Sequence, residues 1–160
     1  MKTLYLLRHA KSSWDDPDLD DFDRPLNERG EKDAPRIGKR LNTRKVLPDT
    51  LYSSPARRAI TTAQVIADCI DYPTKNIRLR QELYHAGENM LLDFVRTLSP
   101  ESQTVMIAGH NPGLTDFANA LIKETIDNIP TAGIIGIEFD ANSWKEIVKG
   151  RLIFFEYPKK

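Results

Sequence analysis

Thr3-Leu4-Tyr5-Leu6-Leu7-Arg8-His9-Ala10 is the stretch on which the reading of this chain turns. Thr3 to Leu7 make a short apolar run suited to a buried strand. An arginine and a histidine stand side by side where that strand ends. In α/β proteins, ligands gather outside the carboxyl ends of parallel strands. Arginine presents a planar fork of donors that matches phosphate oxygens. Histidine is a nitrogen nucleophile able to carry a phosphoryl group. Taken alone, the pair also fits a strand that simply runs into a polar loop, so its meaning depends on the rest of the chain.

Further strand signals lie at about 50–53, 77–79, 104–108, 133–139 and 151–156, with the first at 3–8. Helical patterns fall between them. One runs from Glu28 to Lys45, with Ala34, Ile37 and Leu41 on one face and Asn27 as its N-cap. Pro35 inside it predicts a kink or a late start. A second opens at Ser54-Pro55, read as a capping residue followed by proline at the first helical position. A third covers Asn89 to Leu98, and a fourth starts at Asn111-Pro112. Strands alternating with helices predict an α/β fold of three layers, α/β/α, around a largely parallel sheet. The two last strands, with Trp144 between them, read as a closing pair.

The 160 residues, 40% of them hydrophobic, suffice for one domain with a real core, spanning 1–160. The 23 basic and 23 acidic residues cancel, so no global field favours nucleic acid or a membrane, and any anion site must be local. The single cysteine, Cys69, excludes an internal disulfide or a multi-cysteine metal cluster, and its helical position reads as a buried small hydrophobe. The apolar start is too short for a signal peptide and no run is long enough to span a bilayer. A cytoplasmic location is therefore the expectation. Nothing indicates the oligomeric state.

Three polar motifs follow three separate strands. They are Arg8-His9, Ser53-Ser54-Pro55-Ala56-Arg57-Arg58-Ala59 and Gly109-His110-Asn111-Pro112-Gly113. A parallel sheet would bring all three to one edge. The last two also open helices, whose N-terminal N–H groups favour anions. Each has an ordinary alternative: a solvated arginine pair, a loop histidine bound to backbone, a glycine-rich turn. It is their convergence on one edge that points to a phosphate pocket.

The combination of Arg8-His9 after a strand, Ser54-Pro55-x-x-Arg58-Ala59-x-x-Thr62-Ala63 and Gly109-His110-Asn111-Pro112 resembles the histidine phosphatase, or phosphoglycerate mutase-like, superfamily. Arg8-His9-Ala10-Lys11-Ser12-Ser13-Trp14 and Arg24-Pro25-Leu26-Asn27-Glu28-Arg29-Gly30 are similar to its SixA-like phosphohistidine phosphatase branch. The resemblance implies a phosphoglycerate mutase-like fold and a phosphatase in which His9 attacks phosphorus and becomes transiently phosphorylated. Arg8 and Arg58 would clamp the phosphoryl oxygens, with His110 as a third cationic or donor ligand. No cofactor or metal is implied. Glu82, after the third strand, matches the superfamily's general acid best, with an exposed loop carboxylate as the equal alternative. Where the superfamily often has Gly-Glu after the nucleophile, this chain has Ala10-Lys11, and Lys11 becomes a candidate substrate contact.

Six aspartates lie between Asp15 and Asp23, read either as a solvated loop or as an acidic rim of the pocket. Arg24 beside them is either a substrate contact or a structural salt bridge. The implied partner is a phosphohistidine protein, with a small phosphate ester as the alternative substrate. A phosphate-binding module without turnover is the reading from a different class.

Overall fold

The computed structural model describes residues 1–160. Six strands form one sheet: β1 (Lys2–Arg8), β2 (Thr50–Ser53), β3 (Arg78–Leu79), β4 (Thr104–Gly109), β5 (Ile134–Phe139) and β6 (Arg151–Glu156). Their order is β3-β2-β4-β1-β5-β6. The first four run parallel, while β5 pairs antiparallel with both β1 and β6. Four helices accompany the sheet: α1 (Glu28–Thr43), α2 (Arg57–Cys69), α3 (Glu88–Arg96) and α4 (Gly113–Leu121). No helix is long and apolar enough to cross a membrane.

β1 and β4 are central, and their side chains are buried on both faces, as parallel strands between helical layers require. On one face, Leu7, Met106 and Ala108 pack under α1 and α2 through Ile37, Leu41, Ala63 and Ile66. On the other, Leu4, Leu6 and Ile107 meet Leu91, Val95, Phe117 and Leu121 of α3 and α4. Full burial of a leucine or isoleucine is worth about 1.5–3 kcal/mol, so these two layers carry much of the fold. The sheet is thus largely parallel and three-layered.

Local details differ from the sequence reading. α1 runs unbroken through Pro35; Asn27 caps it by accepting from the Gly30 N–H at 2.9 Å, and its buried apolar face outweighs the one backbone bond that proline removes. α2 begins at Arg57 rather than at Ser54-Pro55. The Ser54 hydroxyl instead accepts from the Ala56 N–H at 3.2 Å in the turn before the helix. Cys69 is half-buried rather than fully buried, lodged against Gly38, where a Cβ would collide with its sulfur.

Candidate active site

The parallel register levels the ends of the three motif-bearing strands. Arg8 is opposite Gly109, and Ser53 is opposite Ala108. Each strand therefore ends one residue short of its chemistry: His9 after β1, Ser54 after β2, His110 after β4. The loop at His9 is pinned from three sides. Its N–H donates to the Gly109 carbonyl (3.2 Å), and its carbonyl accepts from the Ala132 N–H (3.0 Å). Thr62 of α2 accepts from the Ala10 N–H at 2.9 Å.

His9 is buried, and its Nδ1 lies 2.8 Å from the Ala10 carbonyl oxygen. A carbonyl only accepts, so Nδ1 carries the proton and Nε2 keeps its lone pair. Burial, reinforced by the charges of Arg58, Arg8 and Arg24, lowers its pKa to about 4 despite the opposing carbonyl bond. The ring is neutral at pH 7.

His110 faces it with ring centroids 5.2 Å apart. Its Nε2 lies 2.8 Å from Ser54 Oγ, and its Nδ1 is 3.5 Å from Arg58 Nη2. Arginine can only donate, so Nδ1 accepts and Nε2 gives its proton to Ser54. Burial and the charges of the surrounding His9, Arg58 and His85 push its pKa far down, against the pull of Asp21. His110 is thus neutral in this arrangement, and an arriving dianion is what would favour its cationic form.

Arg58 is buried at the start of α2. Its Nη2 donates to Asp21 Oδ2 at 2.9 Å and its Nη1 to the Asp21 carbonyl at 2.6 Å. The same Oδ2 accepts from Tyr84 Oη at 2.6 Å and His85 Nε2 at 2.9 Å. Burial alone would raise the Asp21 carboxyl, but the hydrogen bonds from Tyr84, Arg58 and His85 overcome it and hold the group well below the usual range. Arg8 donates from Nη1 to the Ile129 carbonyl at 2.9 Å. The Nε groups of Arg8 and Arg58 are both buried without a partner.

Arg8, His9, Arg58 and His110 line one pocket of about 210 Å³. Lys11 lines it too, with an exposed side chain, whereas Arg57 points to solvent outside it. Arg24 borders the pocket, and three of its five N–H groups go to the protein: Nε to Ser13 O (2.9 Å), Nη1 to Asp21 Oδ1 (3.0 Å), Nη2 to Ser12 Oγ (2.5 Å). Trp14 stacks on it at 3.2 Å. The ion pair of Arg24 with Asp21 is present, and the side chain also lines the pocket where a substrate contact would lie. Glu82 is not brought to the pocket; it is exposed on a 3-10 turn over Gln81–Leu83. That turn aims the later residues Tyr84 and His85 inward instead.

Asp21, Tyr84 and His85 are the residues that sequence reasoning does not reach. The acidic run offered an acidic rim, without singling out Asp21. Leu83-Tyr84-His85-Ala86 follows a parallel strand, as the other motifs do, which was the available signal for His85. Gly113 explains how α4 approaches this segment, since a Cβ there would run into the Ala86 carbonyl. No group of three or more His, Cys, Asp or Glu side chains has a geometry that could hold a metal. The pocket can receive a small dianion between two arginines, with a neutral imidazole nitrogen facing it.

Comparison with known proteins gives the same direction. The model of the Histidine phosphatase superfamily (branch 1) matches residues 4–87, just over half of the chain. An uncharacterized chloroplastic protein of Arabidopsis thaliana is 31% identical over 153 residues, covering 91% of this chain and 70% of that protein. A 2,3-bisphosphoglycerate-dependent phosphoglycerate mutase of Bifidobacterium longum is 43% identical over 70 residues, which span only 28% of that enzyme. The crystal structure of the candidate phosphohistidine phosphatase SixA of Agrobacterium tumefaciens superposes with a TM-score of 0.84 at 32% identity, covering 98% of both chains. The protein histidine phosphatase SixA complexed with tungstate shares the fold, with a TM-score of 0.84 at 22% identity and coverage of 98% and 97%. The chain belongs to the histidine phosphatase superfamily, branch 1, and within it stands with the SixA-like phosphatases.

Proposed function

We propose that residues 1–160 form a single metal-independent phosphatase domain in which His9 is the nucleophile and a phosphohistidine protein is the substrate. The observation that carries this reading is the state of His9: neutral, with Nδ1 tied to the Ala10 carbonyl and Nε2 left as the free lone pair. In-line attack by Nε2 forms a phosphorus–nitrogen bond as the leaving group departs, and water then releases phosphate. Negative charge spreads over the equatorial oxygens in such transfers, so positioning and charge stabilisation do most of the catalysis. Arg8 and Arg58 are the clamps, brought to one pocket by the end of β1 and the start of α2. Losing one such preorganised donor costs on the order of 3 kcal/mol of barrier. His110, oriented by Ser54, completes the cradle, and Lys11 adds charge at the mouth.

The protein substrate is supported by the likeness to the A. tumefaciens protein named as a candidate phosphohistidine phosphatase. The pocket mouth adds to this: Trp14 is 73% exposed beside a loop of aspartates. That rim disfavours nucleotides and other polyanions and accepts a phosphoryl group on a neutral or basic protein surface. A small phosphate ester is the second reading, favoured by the small polar pocket of about 210 Å³.

The test sets wild type against His9→Ala, with chelator present, on phosphohistidine proteins, phosphoserine peptides and sugar phosphates. The expected result is His9-dependent release, fastest from phosphohistidine. Faster turnover of small esters overturns the substrate choice. Binding without any His9-dependent release overturns the enzyme mechanism in favour of a binding module.

A further inference from the structure

His85 has no part in the phosphoryl-transfer scheme above, yet it lines the same pocket. Its ring centroid is 4.8 Å from that of His110, and its side chain is half exposed, open to a substrate entering from solvent. Its backbone sits at φ 52°, the left-handed region that non-glycine residues rarely occupy. Such conformations persist where the surroundings over-determine them, and they cluster at functional sites. Here the surroundings are specific. His85 Nε2 lies 2.9 Å from Asp21 Oδ2, and Tyr84 and Arg58 hold the same oxygen as a carboxylate. A carboxylate only accepts, so Nε2 bears a proton and Nδ1 is left as the exchanging nitrogen. An imidazole oriented by a buried carboxylate is a recurring device for proton transfer.

We propose that His85 is the proton donor to the leaving group, with Asp21 as its positioning residue; this rests on His9 being the nucleophile. In the first step the bond from His9 Nε2 to phosphorus forms while the bond from phosphorus to the leaving atom breaks. The proton on His85 Nδ1 passes to that leaving atom. In the second step a water oxygen bonds to phosphorus, the bond to His9 Nε2 breaks, and a water proton returns to Nδ1. The groups around His85 fit this role. Asp21 stabilises the imidazolium, Tyr84 and Arg58 keep Asp21 in place, and His110 beside it is neutral. Glu82, which the family resemblance suggested for this proton, stays exposed outside the pocket.

A leaving-group series tests the assignment. Dinitrophenyl phosphate leaves without help, whereas phenyl phosphate needs a proton. His85→Gln and His85→Ala are expected to lower the rate at which phenyl phosphate phosphorylates His9 about 100-fold or more. They should leave the rate at which dinitrophenyl phosphate phosphorylates His9, read as the dinitrophenol burst, within a few-fold, while steady-state turnover falls at the second step where His85 takes the water proton; the retained burst also shows that the variants fold. Asp21→Asn, which removes the carboxylate that orients Nε2, should slow phosphorylation of His9 by phenyl phosphate more than by dinitrophenyl phosphate. Equal losses of phosphoenzyme formation across the series, or no loss at all, overturns the role of His85. Absence of a His9 phosphoenzyme in the wild type instead overturns the underlying scheme.

Discussion

Arg58 is held by Asp21 through both of its terminal nitrogens, Nη2 to the carboxylate at 2.9 Å and Nη1 to the backbone carbonyl at 2.6 Å. Thirty-seven residues separate them in sequence. A fixed carboxylate thus engages the arginine that a phosphoryl group would use. The acidic loop fixes the guanidinium plane, and in doing so sets a negative charge against any incoming anion.

Removing that charge should strengthen anion binding. Asp21→Ala is expected to lower the inhibition constant of inorganic phosphate about 10-fold at low ionic strength, equivalent to about 1.4 kcal/mol. The gain should shrink as salt is added, since Asp21 is partly exposed. Phosphate inhibition measured at several salt concentrations checks this. Unchanged or weaker inhibition would mean that Asp21 serves chiefly to hold Arg58 in place.

The histidines set the pH behaviour. Because the His9 pKa is lowered to about 4, its nucleophilic form survives well below the usual histidine range. The acid limb of turnover of dinitrophenyl phosphate should therefore lie near pH 4 rather than 6.5. Stability follows the opposite course. An unfolded histidine takes up its proton near pH 6.5, but the folded site resists until about pH 4, so stability falls across that window. His9 alone accounts for about 2–3 kcal/mol of that loss. His110, lowered further, extends it to lower pH. Asp21, held below the carboxylate range, adds stability that is present above that range and lost as pH falls through it. Denaturant unfolding from pH 7 to 4 checks the slope, and His9→Ala should flatten it.

The two arginines beside Asp21 should respond differently to the same change. Arg58→Lys keeps a charge but loses the fork that places Nε and Nη together, so kcat should fall about 100- to 1000-fold with KM changed far less. Arg24→Lys breaks the links to Ser12, Ser13 and Asp21 and the stack with Trp14. It should lower Tm by several degrees, through about 1–3 kcal/mol of lost hydrogen bonding, and raise KM more than it lowers kcat. Steady-state kinetics with thermal melts separate the two. A larger kcat loss at Arg24 would make it a substrate contact after all.

Much of this site was legible because its parts are local. Apolar runs mark β1 and β4, and the residue after each strand is fixed by chain order, so His9 and His110 arrive together once the sheet is parallel. Arg58 follows from the helix after β2. The Asp21 contacts are of another kind. They join an irregular loop to residues 37, 63 and 64 positions away, with no periodicity to announce them. Glu82 and His85 show the finer limit: they are three residues apart, and the direction of one 3-10 turn decides which enters the pocket. At Ser54, the capping signal was real but belonged to a turn ahead of the helix, which frees the hydroxyl to meet His110.

That last contact gives the sharpest structural test. Ser54 Oγ lies 2.8 Å from His110 Nε2 and is fully buried, so it is the acceptor for the proton that Arg58, donating to Nδ1, keeps on Nε2. With the proton on Nε2, Nδ1 is left to face Arg58. Ser54→Ala removes the acceptor and leaves a buried N–H unsatisfied, at a cost of about 1–3 kcal/mol. The ring can avoid that cost by moving its proton to Nδ1, which then meets the Arg58 guanidinium, donor against donor. Arg58 is displaced in consequence, and kcat should fall about 10-fold or more while KM changes little. Nitrogen NMR of labelled histidine reads the tautomer directly: an Nε2–H signal in wild type, and its loss or exchange in Ser54→Ala. Ser54→Thr, which keeps the hydroxyl, should restore both the signal and the rate. A full rate in Ser54→Ala with the Nε2–H signal intact would show that the Arg58 contact holds the proton on Nε2 without help from Ser54.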